Sequence, residues 1–306
     1  MRHFTSDVVT EARAEHAEGP CWDPRTGQLL WVDQFAGLIH LADYEPGPGR
    51  LRLARTYQAG SAVGAVVPVS EPGGGWMVAC EAGFAHLTEN GALRMLARPE
   101  AANSGRVRMN DGKCDPAGRF WAGSMAWDKG AGMGSLYRLD TDLSVHRVRS
   151  HVTISNGLAW SADGRHLYYI DTPTRRVERF EAGRNGVLRG GVPVVVFAED
   201  MGQPDGMCID EEGCLWVALW GGSAVCRCSP DGEILARVDI DAPLVSSCCF
   251  GGPERATLFI TTSQEDMPPE WCARHPQSGH VFRADVGTRG MVTDCFRAPL
   301  WQARDS

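Results

Sequence analysis

The chain of 306 residues carries a formal net charge of -8, with 43% apolar residues, 22% charged residues and 36 glycines. That balance supports a large core with many tight turns and excludes a disordered chain. No run of lysine and arginine is dense enough to follow a phosphate backbone, and no apolar stretch approaches the roughly 20 residues of a membrane span. The opening MRHFTSDVVTEARAEHAEGP lacks the apolar segment of a signal peptide. The expectation is a cytoplasmic protein, monomeric or weakly self-associating, with no nucleic-acid or membrane partner. Eleven cysteines form an odd set without CxxC pairs or zinc spacing, so they read as reduced strand filler and not as a disulfide framework.

A turn rich in Asp, Pro or Gly followed by an aromatic or aliphatic strand recurs along the chain. In order these segments are DPRTGQLLWVD from Asp23, EPGGGWMVA from Glu71, DPAGRFWAG from Asp115, SADGRHLYYID from Ser161, DEEGCLWVAL from Asp210 and GPERATLFIT from Gly252. With Trp31, Met77, Trp121, Tyr168, Trp216 and Phe259 taken as equivalent, the repeats lie 43 to 48 residues apart. A period of this length, filled by short alternating apolar stretches with no helical periodicity, is that of a propeller blade of about four strands. Six repeats predict an all-β, six-bladed β-propeller in which residues 1–306 form a single domain.

Each turn is preceded by a segment expected to form the innermost strand of its blade. Counted back from the anchor residues, Glu18, Asn110, Asn156 and Asp205 fall in one register, while the second and sixth repeats offer Gly64 and Ser247. Any one of EGP, NDG, NGL or PDG alone is a turn signal. Four in one register predict convergence on the central channel, because equivalent strand positions point at the same place. Two carboxylates and two carboxamides without sulfur suit one divalent ion of the Ca²⁺, Mg²⁺, Mn²⁺ or Fe²⁺ type.

The runs HAEGPCWDPRTGQLLWVD, RMNDGKCDPAGRFWAGSM, ISNGLAWSADGRHLYYIDT and QPDGMCIDEEGCLWVALWGG resemble the senescence marker protein/gluconolactonase/regucalcin family over nearly the whole chain. The resemblance implies a six-bladed propeller that opens a sugar lactone (glucono-, galactono-, xylono- or arabinonolactone) to its acid. It implies Glu18, Asn156 and Asp205 as ligands of one divalent ion (Zn²⁺, Mn²⁺, Fe²⁺, Ca²⁺ or Mg²⁺), and Arg108 and Asn110 as groups for the sugar hydroxyls. It also implies a substrate-facing acid just after GSM, where this chain has Trp127 and then Asp128, the residue expected to fill that role.

Chemically, a metal ion with an open position polarises an ester carbonyl or acidifies a bound water, and Asp205 is the carboxylate expected to take the water proton. No GxSxG elbow accompanies Ser61 or Ser155, which argues against a serine nucleophile. His16, two residues before Glu18, shares its strand face and is a candidate support for it. Two other functions remain open: a non-catalytic calcium-binding regulatory propeller, and an organophosphate or phosphoester hydrolase. The long connection within 261–279 reads either as a lid or as a surface insertion.

Overall fold

The computed structural model describes residues 1–297. Six sheets follow one another in chain order, and each begins at the channel with the predicted innermost strand. These are Ala17–Asp23, Val63–Pro68, Val107–Cys114, Ser155–Trp160, Gln203–Ile209 and Val245–Gly251, in blades 1 to 6. All six anchor residues named above lie on the second strand of their blades. Innermost strands touch between each consecutive pair of blades, and blade 6 touches blade 1, so the ring is closed.

Closure uses chain that carries no repeat. Asp7–Val8 pairs antiparallel with Val281–Asp285 as the outermost strand of blade 6. Arg2–Phe4 adds a fifth strand, parallel to Ile234–Asp239, on the rim of blade 5. Joining the start of the chain to its last two blades leaves no seam between blades to open, which is how a propeller protects its sheet edges.

The core is divided among the blade interfaces. Six apolar clusters each join two neighbours: Trp216 and Val225 of blade 5 with Phe250 and Ile260 of blade 6, for example, or Phe84 of blade 2 with Phe120 of blade 3. Strands buried on both faces read as continuous apolar runs, which is why LLWV and LWVAL carry so little polar alternation.

The aspartates that open three of the repeat turns, Asp23, Asp115 and Asp210, are buried and fully used. Asp115 accepts from the Trp121 indole at 2.8 Å and the Arg119 Nε at 2.6 Å, and Asp210 accepts from the Trp216 indole at 3.0 Å and the Arg227 Nε at 2.8 Å. Asp23 pairs with Arg25 and takes the indole N–H of Trp76 from blade 2. The repeat signal is therefore an Asp–Arg–Trp knot at the end of the channel away from the functional register. Asp210→Ala should leave the Arg227 cation and the Trp216 N–H without their buried partner. A loss of about 3 kcal/mol or more is expected in urea unfolding, the scale for breaking one side of a buried pair.

Candidate functional site

Every innermost strand loses register with its neighbour at the same place. The shift falls between Glu18 and Cys21, Val63 and Ala65, Met109 and Gly112, Ser155 and Leu158, Pro204 and Met207, and Val245 and Ser247. A bulge re-aims the side chain beside it. Here it turns Glu18, Asn110, Asn156 and Asp205 into one axial cavity of about 80 Å³, lined also by His16, Arg108, Thr172 and Gln203. Blade 2 contributes no side chain for a steric reason: a Cβ on Gly64 would lie 2.2 Å from the Asn110 carbonyl oxygen.

The supports of these side chains are repeated too. Asp33, at the end of the second strand of blade 1, accepts the backbone N–H groups of Glu15 and His16 at 2.9 and 3.1 Å. Asp171 does the same in blade 4 for Thr153 and Ile154. Each fixes the segment that enters the innermost strand, and so fixes Glu18 and Asn156.

A ladder of hydrogen bonds crosses the cavity wall. The Arg108 Nη1 donates to Asn110 Oδ1 at 2.6 Å, and Asn110 Nδ2 donates to Asn156 Oδ1 at 2.8 Å. Asn156 Nδ2 donates to Thr172 Oγ1 at 2.8 Å, and the Thr172 hydroxyl donates to the Pro204 carbonyl at 2.9 Å. Asn110 is thus saturated by protein, since its Nδ2 also reaches the Ser155 carbonyl and its Oδ1 also accepts from Gln34. Its carboxamide orients Asn156 and Arg108, a different task from the hydroxyl contact anticipated for it.

Asp128 stands apart from the other sequence candidates. It is exposed, its carboxylate accepts the Gly130 N–H at 3.0 Å, and it does not line the cavity. The tight turn that this bond closes directs Lys129 inward in its place, while Trp127 stacks on the Arg108 guanidinium at 5.2 Å. Glu265, from the long connection in blade 6, also lines the cavity and pairs with Lys129 at 3.0 Å. Gln34, Thr172, Lys129 and Glu265 were not singled out from the sequence. The first two had a usable signal, the apolar-apolar-Asp ending of the second strand in WVDQ and YIDT.

Charge is poorly compensated here. Burial and then the nearby Asp111 push the Glu18 carboxyl up to about 8, and burial and then Glu18 push Asp205 well above the usual carboxylate range. Burial draws the Arg108 guanidinium down to about 10. His16 is held neutral, at about 3, chiefly by burial, and it bonds Ser263 Oγ at 2.7 Å with its other nitrogen 3.9 Å from Glu18. Ser155 Oγ pairs with the Tyr169 hydroxyl instead of a histidine.

Among the described residues no group of three His, Cys, Asp or Glu side chains is placed to hold a metal ion. The axial set has two carboxylates and needs the Asn156 carboxamide to make a third ligand. One orphaned atom fits that use: Asp205 Oδ1 is buried without a hydrogen-bond partner, beside a second carboxylate. Such a group is expected to meet a cation or a proton.

Fold and cavity together define a six-bladed propeller with an oxygen-donor site on its axis. The SMP-30/gluconolactonase/LRE-like region matches residues 16–264, and the chain belongs to that lactonase family. Regucalcin of Danio rerio is 36% identical over 296 residues, covering 95% of this chain and 98% of that protein. The 6-deoxy-6-sulfogluconolactonase of Pseudomonas putida is 33% identical, covering 91% and 94%. A crystal structure of a calcium-binding regucalcin from Agrobacterium tumefaciens superposes with a TM-score of 0.89 at 25% identity, covering 97% of this chain and 99% of that one. No helix among the described residues is long and apolar enough to cross a membrane.

The raised carboxyl pKa values have a measurable consequence in ion-free protein. A carboxyl whose folded pKa lies above its unfolded one supplies stability that is present below the unfolded value and lost as pH rises to the folded value. For Glu18 that window runs from 4.5 to about 8. The melting temperature of chelator-treated protein should fall across this window, and saturating Mn²⁺ should flatten the decline. A midpoint that rises with pH in chelator would contradict the uncompensated pair.

Proposed function

We propose that the protein is a metal-dependent hydrolase that opens a sugar lactone to its aldonic acid, with Glu18, Asn156 and Asp205 holding one divalent ion. The observation that carries the reading is the buried, partnerless Asp205 Oδ1 beside Glu18, within reach of a cavity that also presents Arg108. The ion, when bound, supplies Lewis-acid polarisation of an ester carbonyl and acidifies water.

The chain's own residues do the rest. The Asp205 carboxylate takes the proton of the attacking water. Arg108 has a buried Nε without a partner, and this N–H is a donor for a ring hydroxyl. Its guanidinium packs against the rings of Phe35 and Trp127, at 5.4 and 5.2 Å, which restricts its orientation. Asn110 keeps Asn156 Oδ1 turned to the axis. Phe35 and Trp127, 6.0 Å apart, offer apolar surface above a polyol and help to exclude bulk water.

Three variants separate these roles. Asp205→Asn should lower turnover by about a hundredfold or more, the usual contribution of a general base. Arg108→Ala should raise KM while leaving ion affinity nearly unchanged. Asn110→Ala should weaken ion binding as well as activity, because Asn156 loses the bond that aims its oxygen. Calorimetric ion titration with initial rates on glucono- and xylonolactone measures both quantities. Mn²⁺, Fe²⁺ or Zn²⁺ should support faster turnover than Ca²⁺, being more strongly polarising. Tight Ca²⁺ binding with no rate enhancement for any lactone under any ion would overturn the hydrolase reading in favour of a calcium-binding propeller.

A further inference from the structure

Blades 3 and 6 are three steps apart in a closed ring of six, so they face one another across the axis. The turn after Phe120–Ala126 in blade 3 presents Lys129, and the connection after Thr257–Thr262 in blade 6 presents Glu265. Their 3.0 Å ion pair therefore has to pass over the mouth of the channel. A second contact, Lys129 to Asp266 at 3.6 Å, strengthens the same crossing.

The blade 6 side is firmly mounted. Gln264 bonds the backbone of Glu15 and Ala14, and Ser263 Oγ accepts the Glu265 N–H at 2.8 Å while bonding His16. Glu265 is thereby held with its carboxylate at the cavity, 3.7 Å from His16. On the blade 3 side, Lys129 takes a left-handed backbone conformation in a two-bond turn and its side chain is 44% exposed. One partner is anchored and the other is free to swing away.

Under this bridge the cavity measures about 80 Å³, well short of the roughly 300 Å³ at which small-molecule pockets begin. A sugar-sized molecule needs more room than the cavity offers under the bridge. We propose that the Lys129–Glu265 pair is the gate of this site, and that the freed Glu265 carboxylate is its specificity-determining group, accepting hydrogen bonds from the hydroxyls of the entering molecule. The inference rests on the lactonase reading for its substrate, while the gate itself rests on geometry alone. With Asp128 outside the cavity, Glu265 is an acid of the rim that lines it together with Arg108, and it comes from the opposite side of the ring.

The two halves of the proposal make opposite demands on two variants. A closed gate competes with substrate, so the apparent KM is the intrinsic constant divided by the open fraction. Lys129→Met removes the bridge but keeps Glu265. KM should fall for D-glucono-1,5-lactone and for δ-valerolactone, a lactone without hydroxyls, by up to about fivefold, the ceiling for a half-exposed ion pair. Glu265→Gln also opens the gate but removes the charged acceptor. KM for δ-valerolactone should fall as before, while KM for gluconolactone should rise by about threefold or more, with kcat changing less than KM in each case.

A readout independent of turnover follows ion escape through the same mouth. Mn²⁺-loaded protein diluted into excess EDTA should lose its ion about fivefold faster in Lys129→Met than in wild type. If wild type opens no lactone, the functional reading falls and the EDTA experiment still decides the gate. If wild type turns over but neither variant changes the rate of Mn²⁺ loss or separates the two lactones, the gate is overturned and the lactonase reading stands.

Discussion

Glu18 and Asp205 are buried facing one cavity, and the surrounding structure is arranged to hold them there. Bringing two carboxylates out of water together costs several kcal/mol, which isolated loops do not sustain. The ring sustains it because each carboxylate sits on an innermost strand clamped between two neighbouring blades. The shift in register beside each one turns the side chain towards the axis instead of into an interblade core. Arg108, itself buried and packed against two adjoining aromatic rings, is the main fixed positive charge in that neighbourhood.

The two ends of the channel use the same residue type in opposite ways. At one end Asp23, Asp115 and Asp210 are buried with every oxygen occupied by an arginine, an indole or the backbone of the turn. At the other, Asp205 keeps a bare oxygen. Satisfied carboxylates tie the blades and lock the turns, whereas the unsatisfied one leaves an acceptor open at the cavity. Burial alone does not tell the two apart, since all four aspartates are nearly inaccessible. What separates structure from function here is whether hydrogen bonds are complete.

This contrast also explains how much the amino-acid sequence revealed. The blade count was legible because a turn followed by an aromatic or aliphatic strand recurs six times, three of those turns carrying the Asp–Arg–Trp knot, and the register of Glu18, Asn110, Asn156 and Asp205 was legible because strand positions inherit the period. Asp7–Val8 was not, because two residues carry no periodic signal and pair across the whole chain length. Asp128 was expected at the cavity from its distance along the sequence after GSM. A side chain–backbone bond to Gly130 within its own turn claims that carboxylate, and local turn chemistry of this kind is invisible to a register argument. Asn110 lay in the right place, but only the ladder through Asn156 and Thr172 revealed that its bonds were already spent on its neighbours.

Lys129 and Glu265 escaped notice for a further reason that bears on how such a site changes. Both stand on connections between the second and third strands, which surround the mouth and belong to no repeat register. In a ring of six, such connections from opposed blades meet over the axis although 136 residues separate them in sequence. The axial floor of the cavity is built from the innermost strands and leaves little room for alteration, as the 2.2 Å approach at Gly64 illustrates. The rim carries chain outside the sheet register, the helix Pro269–Arg274 within the blade 6 connection. Chemistry of the floor and selectivity of the rim are therefore physically separable: a change in rim length or charge alters what enters the cavity without moving the groups that act on it.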